Sequence, residues 1–439
     1  MIQNGITNIV SMLDNIMVGR IGTDPMSGVA VANELIFVWM LMLFGGLSGI
    51  GIFTAQYTGK GDTTGVRDTF RLQIVVSLLI AAVGFLVFRF AGRDLITLFL
   101  TEDGGIGRAD ATELHAVSYL TVMFAGLIPI ALTQAYSVTL RSTGETLLPM
   151  AASLIAVCIN LVGNYILIYG KFGAPALGVT GAAIATVISR IVEFLCLAVY
   201  VHAHTGKYPF AAGLFRNFRI PAALIRSCAV KGTPLLLNET LWSACQALTT
   251  QIYSVRGLSV IAAFNISRTI SNVFNVAFIA MGNAIGIIIG QELGMKNKDV
   301  GEVRQDAWLL TWFSVGLCVI FGGLLALVSG VFPLIYNTSE EIRNLATGLI
   351  LVAAVCMPLY AFVNAAYFVL RSGGKTVLTF FFDSCWGWVV SVPAALFLIY
   401  RTRLPILMIF LIVQLLEGVK CVIGFVLMKK GVWINDVTV

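Results

Sequence analysis

The sequence predicts an all-α polytopic membrane protein of twelve transmembrane helices, built as two six-helix lobes on one repeated plan. Three observations predict it: the density of apolar residues, their grouping into about twelve long runs, and an internal match between the halves. The chain has 439 residues, of which 58% are hydrophobic and only 11% charged. Globular chains run nearer 45–50% apolar and about 25% charged. Apolar runs of about 20–28 residues can each span a hydrocarbon core about 30 Å thick. The short alternating segments of a β-barrel are absent. Backbone bonding inside lipid then requires helices.

The first-half spans fall near 1–19, 29–57, 72–99, 114–140, 147–169 and 177–201. Those of the second half fall near 228–254, 261–290, 307–335, 345–370, 376–400 and 404–428. A long polar and basic connection, 202–227, separates them, so the domains are read as 1–201, 202–227 and 228–439. No basic residue precedes Arg20, so the first span has no charged leader of the cleavable kind. Most Lys and Arg residues outside the spans fall in alternate loops, among them Lys60, Arg71, Arg141, Lys207, Lys296 and Lys375. Positive loops stay inside, which places both termini in the cytoplasm. Because the basic residues are spread over separate loops, the net charge of +6 reads as a topology signal and excludes a nucleic-acid partner.

The repeat shows at two places. "GIFTAQYTGKGD" (51–62) matches "GIIIGQELGMKN" (286–297), with Gly51, Gln56 and Gly59 facing Gly286, Gln291 and Gly294 at an offset of 235. "LRSTGETLL" (140–148) matches "LRSGGKTVL" (370–378) at an offset of 230. Six spans per repeat is an even number, so both halves enter the membrane in the same direction. The pseudo-two-fold axis then runs along the membrane normal, an arrangement of carriers whose sites lie near mid-membrane where the repeats meet. The offset sets Met1 against Leu236, so the first span starts short of its counterpart, which has a run-in from about 228 through Pro234.

Charges inside the spans are the candidate functional residues, because a central carboxylate costs about 2.5–3.5 kcal/mol or more to insert. Asp14, in "SMLDNIMVGRIG" (11–22), is such a carboxylate. "CINLVGNYILIYG" (158–170) puts Asn160 and Asn164 four apart on one helix face, and Thr186 sits among small residues of the next span. One carboxylate, two amide oxygens and a hydroxyl are hard ligands that suit Na⁺, or a carboxyl group that takes up a proton. The alternative for the asparagines is interhelical bonding alone. Glu239 lies about two turns into the seventh span, where the first half has Asn4; it is a candidate for coupling or substrate binding. Asp383, in "FFFDSCWGW" (380–388), is divided evenly between a functional role and a wet position near a helix end. Glu193 with Arg190, and Glu417 with Lys420, have the three-residue spacing of intrahelical pairs. His115, His202 and His204 sit near span ends, and the eight cysteines lie in or beside spans without a CxxC pair. Both sets read as packing or interfacial residues. With no HExxH, no GxSxG and no mid-span histidine, an intramembrane enzyme and a resident cofactor are not expected.

Taken together, "DNIMVGRIG", "AQYTGKGD", "TLRSTGET", "NLVGNYILIYG", "GVTGAAIATVIS", "KGTPLLLNE", "IAAFNISRTI" and "IIGQELG" give the chain a resemblance to the multidrug and toxin extrusion (MATE) transporters over nearly its whole length. The resemblance implies export of cationic or amphipathic small molecules against uptake of H⁺ or Na⁺. It also implies a first-lobe cation site at Asp14, Asn160, Asn164 and Thr186. Family branches with Asp at the second of the two asparagine positions differ from this chain, which has Asn164. The helix-seven Glu of other branches matches Glu239, while their helix-ten Asp has only Asn364 as its nearest polar counterpart here. Asn364 and Asp383 thus join Glu239 as candidates for substrate binding or second-lobe coupling. The expected setting is a monomer in a prokaryotic inner membrane. The alternatives are a lipid-linked oligosaccharide flippase of the same superfamily, which would favour a cationic cavity, and a narrow metabolite exporter.

Overall fold

Among the described residues of the computed structural model, ten helices are long and apolar enough to cross a membrane. The structure describes residues 17–98, 109–216, 218–336 and 338–438. The first predicted span lies almost wholly outside them, and with it Asp14 and the question of that helix's length.

The described residues of the first half form α1 (Thr23–Lys60), α2 (Thr63–Thr97), α3 (Ala109–Ser142), α4 (Leu147–Tyr169) and α5 (Gly178–Ala203). Those of the second half form α6 (Ala222–Ser254), α7 (Leu258–Gly294), α8 (Val300–Val328), α9 (Glu340–Ser372), α10 (Thr376–Arg401) and α11 (Ile406–Lys430). Helix α1 is therefore the second predicted span, and α11 the twelfth. Most helices outrun their apolar cores at the ends, because the helix continues into polar residues that caps then close. Asp62 caps α2 by accepting from the amides of Thr64 and Gly65, and Asp299 caps α8 by accepting from Gly301. The ninth predicted span errs the other way. Apolar sequence runs on to 335, but α8 stops at Val328 and Phe332–Ile335 forms a separate 3₁₀ turn containing Pro333. Pro234 lies inside a continuous α6.

The chain divides into two compact units. One holds the described residues before Ala55 together with Asp62–Gly232. Its core is built from α1 to α5, with Trp39, Leu43, Leu47, Leu127 and Ala183 enclosed. Trp39 donates its indole N–H to the carbonyl of Ile80 on α2. The connection after α5 is pinned to α2 by Arg71, whose guanidinium donates to the carbonyls of Leu214, Gly213 and Arg216 at 2.8, 3.1 and 3.0 Å. His202 meets the Tyr136 hydroxyl at 3.0 Å near the end of α5.

The other unit holds Ala55–Gly61 and Thr233–Val439. The last two turns of α1 therefore pack with second-half helices. Gly59 approaches the end of α7 so closely that a Cβ there would lie 1.8 Å from the Gln291 carbonyl oxygen. A Cβ on Gly294 would lie 2.0 Å from the Gln56 carbonyl oxygen. These are the residues that match across the repeat, so the contact is reciprocal. The tail beyond α11 closes over the same place. Gln56 donates to the carbonyls of Ser372 and Asn435 and accepts from the Val437 amide at 2.7 Å. Lys60 pairs with Asp436 at 2.9 Å. Within this unit, α10 is interrupted by two π-helical segments, Phe381–Cys385 and Gly387–Ser391.

Candidate functional site

Most of the described residues that the sequence marks as site candidates gather in two places, one in each unit. In the first, α4 and α5 bring Asn160, Asn164 and Thr186 together. Asn160 Nδ2 donates to Thr186 Oγ1 at 3.1 Å, and Asn164 Nδ2 donates to Asn160 Oδ1 at 3.3 Å. Thr186 passes its own hydroxyl proton to the carbonyl of Ala182. Both asparagines are buried, at 4% and 1% exposure. Small residues allow this approach: Gly163 on α4 packs directly against Ala185 on α5. The result is a chain of amide and hydroxyl dipoles linking α4 to α5. Asp14, the carboxylate expected to complete it, lies outside the described residues. The described chain resumes nearby, where the Tyr169 hydroxyl donates to the carbonyl of Met17 at 2.8 Å.

The second place lies among α6, α9, α10 and α11. Its centre is Asn238, 1% exposed, which sequence reasoning passed over in favour of its neighbour Glu239. Asn238 Nδ2 donates to Asp383 Oδ2 at 3.1 Å and to the Tyr367 hydroxyl at 3.3 Å. Its Oδ1 accepts from both the amide and the hydroxyl of Ser384. Ser384 lies in the first π-helical segment of α10, where Asn238 gives its amide a side-chain acceptor from α6.

Asp383 lies about two turns into α10, with its side chain 20% exposed. It is tied to α6 by Asn238 and to α11 by Lys420, whose Nζ lies 3.1 Å from Asp383 Oδ1. Lys420 also pairs with Glu417 at 2.6 Å, the intrahelical pair expected from the spacing, and Glu417 accepts from Ser391 at 2.7 Å. Lys420 therefore bridges two helices. Glu239 sits beside Tyr367, Arg371 and Asp383, while Arg371 lies over the rings of Phe368 and Tyr367. Asn364 stands apart from this network. Its Oδ1 packs against Gly282 of α7 and makes no hydrogen bond among the described residues. Glu193 pairs with Arg190 on α5. All eight cysteines are free thiols. No cluster of three or more His, Cys, Asp or Glu side chains suited to a metal occurs among the described residues.

Comparison with known proteins sets these sites in a family. A model of the MatE family matches residues 1–166 and 234–397. The chain is 24% identical over 417 residues to the probable multidrug resistance protein YoeA of Bacillus subtilis, covering 93% of this chain and 86% of that one. It is 27% identical over 403 residues to the multidrug resistance protein MdtK of Photorhabdus laumondii, covering 88% and 82%. Among solved structures, a MATE in its straight conformation superposes with a TM-score of 0.86 at 19% identity, over 98% of this chain and 93% of that one. A transporter of the MOP superfamily from Pyrococcus furiosus superposes at 0.81 with 17% identity, over 98% and 93%. At such identities the structural likeness shows the fold, two lobes of transmembrane helices. The family match over more than half the sequence shows the rest: this multi-pass membrane protein belongs to the MatE family.

Proposed function

We propose that the chain exports cationic or amphipathic small molecules, drugs and toxins among them, in exchange for H⁺ or Na⁺ by alternating access. The observation that carries this reading is the buried chain Asn164–Asn160–Thr186, in a family whose curated members include multidrug resistance proteins. Asp14 is the coupling carboxylate of that set. Taking up a proton or Na⁺ neutralises it, which lowers the desolvation cost of enclosing it and favours the closed arrangement. Cargo and coupling ion need only prefer different conformations of the protein; they need not touch. Glu239 and Asp383 offer cargo a second carboxylate region. The protein acts as a monomer in the inner membrane, with both termini in the cytoplasm and no resident cofactor.

The flippase reading keeps one observation in its favour, the buried cations Arg371 and Lys420. One experiment separates the two. Proteoliposomes loaded with a fluorescent lipophilic cation are given an H⁺ gradient, then a Na⁺ gradient, with wild type and Asp14→Asn compared. Export driven by one gradient and lost in the variant identifies the coupling ion and the role of Asp14. Full activity in Asp14→Asn refutes that role. No export under either gradient, from folded protein, turns the assignment toward the flippase.

A further inference from the structure

Helix α1 has residues in both units, and buried side chains hold it on each side of the change. In the first unit the Thr54 hydroxyl accepts from Gln73 Nε2 of α2 at 3.1 Å, and Gln73 Oε1 accepts from the Thr139 hydroxyl of α3 at 2.7 Å. Two residues after Thr54, Gln56 is held in the other unit by Ser372, Asn435 and Val437. Thr54, Gln73, Thr139 and Gln56 are all 0% exposed. Alternating access moves the lobes, so α1 must either bend near Thr54 or let go of its partners beyond it.

The segment after α11 sets how firmly the α1 end is held. Its first part is built into the unit. A Cβ on Gly431 would lie 2.4 Å from the guanidinium of Arg304 on α8. Trp433 is fully buried and donates its indole N–H to the Met428 carbonyl. The repeat makes the same fastening in the first half. Arg67 and Arg304 each stand five residues after the capping aspartate of their helix, Asp62 or Asp299. Arg67 donates to the carbonyls of Pro209 and Phe210 in the segment after α5. Past Ile434 the hold changes. Among the described residues, 435–438 make no backbone–backbone hydrogen bond. They are held by Gln56, by the Asn435 amide on the Gly373 carbonyl at 3.4 Å, and by Lys60 on Asp436 at 2.9 Å. A segment held by so few bonds opens locally at low cost.

We propose that residues 435–438 are a strap over the end of α1, closed in this structure, whose release is a step of the export cycle and whose grip restrains its rate. The inference rests on the export reading above and deepens it by naming where the cycle is restrained. With the strap open, Gln56 loses Asn435 and Val437, and Lys60 loses Asp436. Both residues lie in the last two turns of α1, so that stretch is freed as one piece.

Two readings on the full-length protein test this: hydrogen exchange at the amides of 55–61, and the maximal rate of ethidium export from proteoliposomes. Val437→Pro removes the N–H that Gln56 Oε1 accepts and should raise both about tenfold, with KM unchanged. Lys60→Gln should raise both about threefold, because the pair is partly exposed, at 17% and 29%. It keeps the test alive if Val437→Pro fails to fold. Lys60→Arg should behave as wild type. Exchange at 55–61 that stays unchanged in folded Val437→Pro and Lys60→Gln overturns the strap. Faster exchange with an unmoved or lower export rate shows a merely structural contact, which also overturns it and leaves the export reading standing. If wild type exports no dye under either gradient, the export reading fails and the restraint on export fails with it.

Discussion

Substituting Ala for Gly59 or Gly294 tests the reciprocal contact at the ends of α1 and α7. The added methyl carbon would lie 1.8 Å from the Gln291 carbonyl oxygen in the first case and 2.0 Å from that of Gln56 in the second. Ordinary contact is about 3.5 Å, so either change drives the two backbones apart by about 1.5 Å. Overpacking of this kind costs about 1–3 kcal/mol. Because both glycines serve one crossing, the costs will not add. Once one methyl has separated the helices, the second finds room, and the double variant should be about as stable as the worse single. The coupling energy should match a single-variant loss, about 1–3 kcal/mol. The assay is equilibrium unfolding of the detergent-solubilised protein in SDS, followed by tryptophan fluorescence, on the two singles and the double. Singles as stable as wild type, or a double that loses the full sum, would refute the reasoning.

Two further predictions follow from hydrogen bonds in the structure. Asn238→Ala leaves the Ser384 amide and Asp383 Oδ2 without their partner and should cost about 1–3 kcal/mol in the same unfolding assay; an unchanged midpoint would show that the π-helical turn finds its own satisfaction. In the turn before α4, Glu145 accepts from Lys207 and then from Tyr208, which together hold its carboxyl below the usual carboxylate range. Its contribution should be whole above about pH 4.3, the ordinary Glu value, and fade as pH falls through the lowered folded value. Wild type should therefore exceed Glu145→Gln in stability near pH 6 to 7, and the gap should close in acid; a gap constant with pH would assign it to packing.

Local signals carried most of what was legible in the sequence. Apolar runs located the helices because lipid demands length and apolarity together, and the i, i+4 spacing of Asn160 and Asn164 exposed a shared face. The Glu417–Lys420 pair was legible for the same reason. What escaped has its partner far along the chain. Nothing near Lys420 names Asp383, which is 37 positions away, and Asn238 meets Asp383 and Ser384 across about 145 positions. Asn238 was also masked by the charged residue beside it. The end of α8 was misjudged because hydropathy does not register the Pro333 turn. The folding of the α1 end into the second unit left no mark in composition, although the repeat match ran through the same residues.

The two π-helical segments of α10 also settle how that helix meets its neighbours. In a regular α-helix each residue advances about 100°, so Asp383 and Ser391, eight apart, would point about 80° away from each other. A wider turn advances less per residue, and two in succession bring both side chains round to α11, where Asp383 meets Lys420 and Ser391 meets Glu417. The extra width is stored length. Deleting one residue between 383 and 391 would let the helix tighten into regular α turns and still reach Arg401; seven steps of about 100° bring Ser391 to within about 20° of the direction of Asp383, so it would go on facing Glu417. The wide turns thus let this stretch lose a residue without losing the cluster or shortening the span.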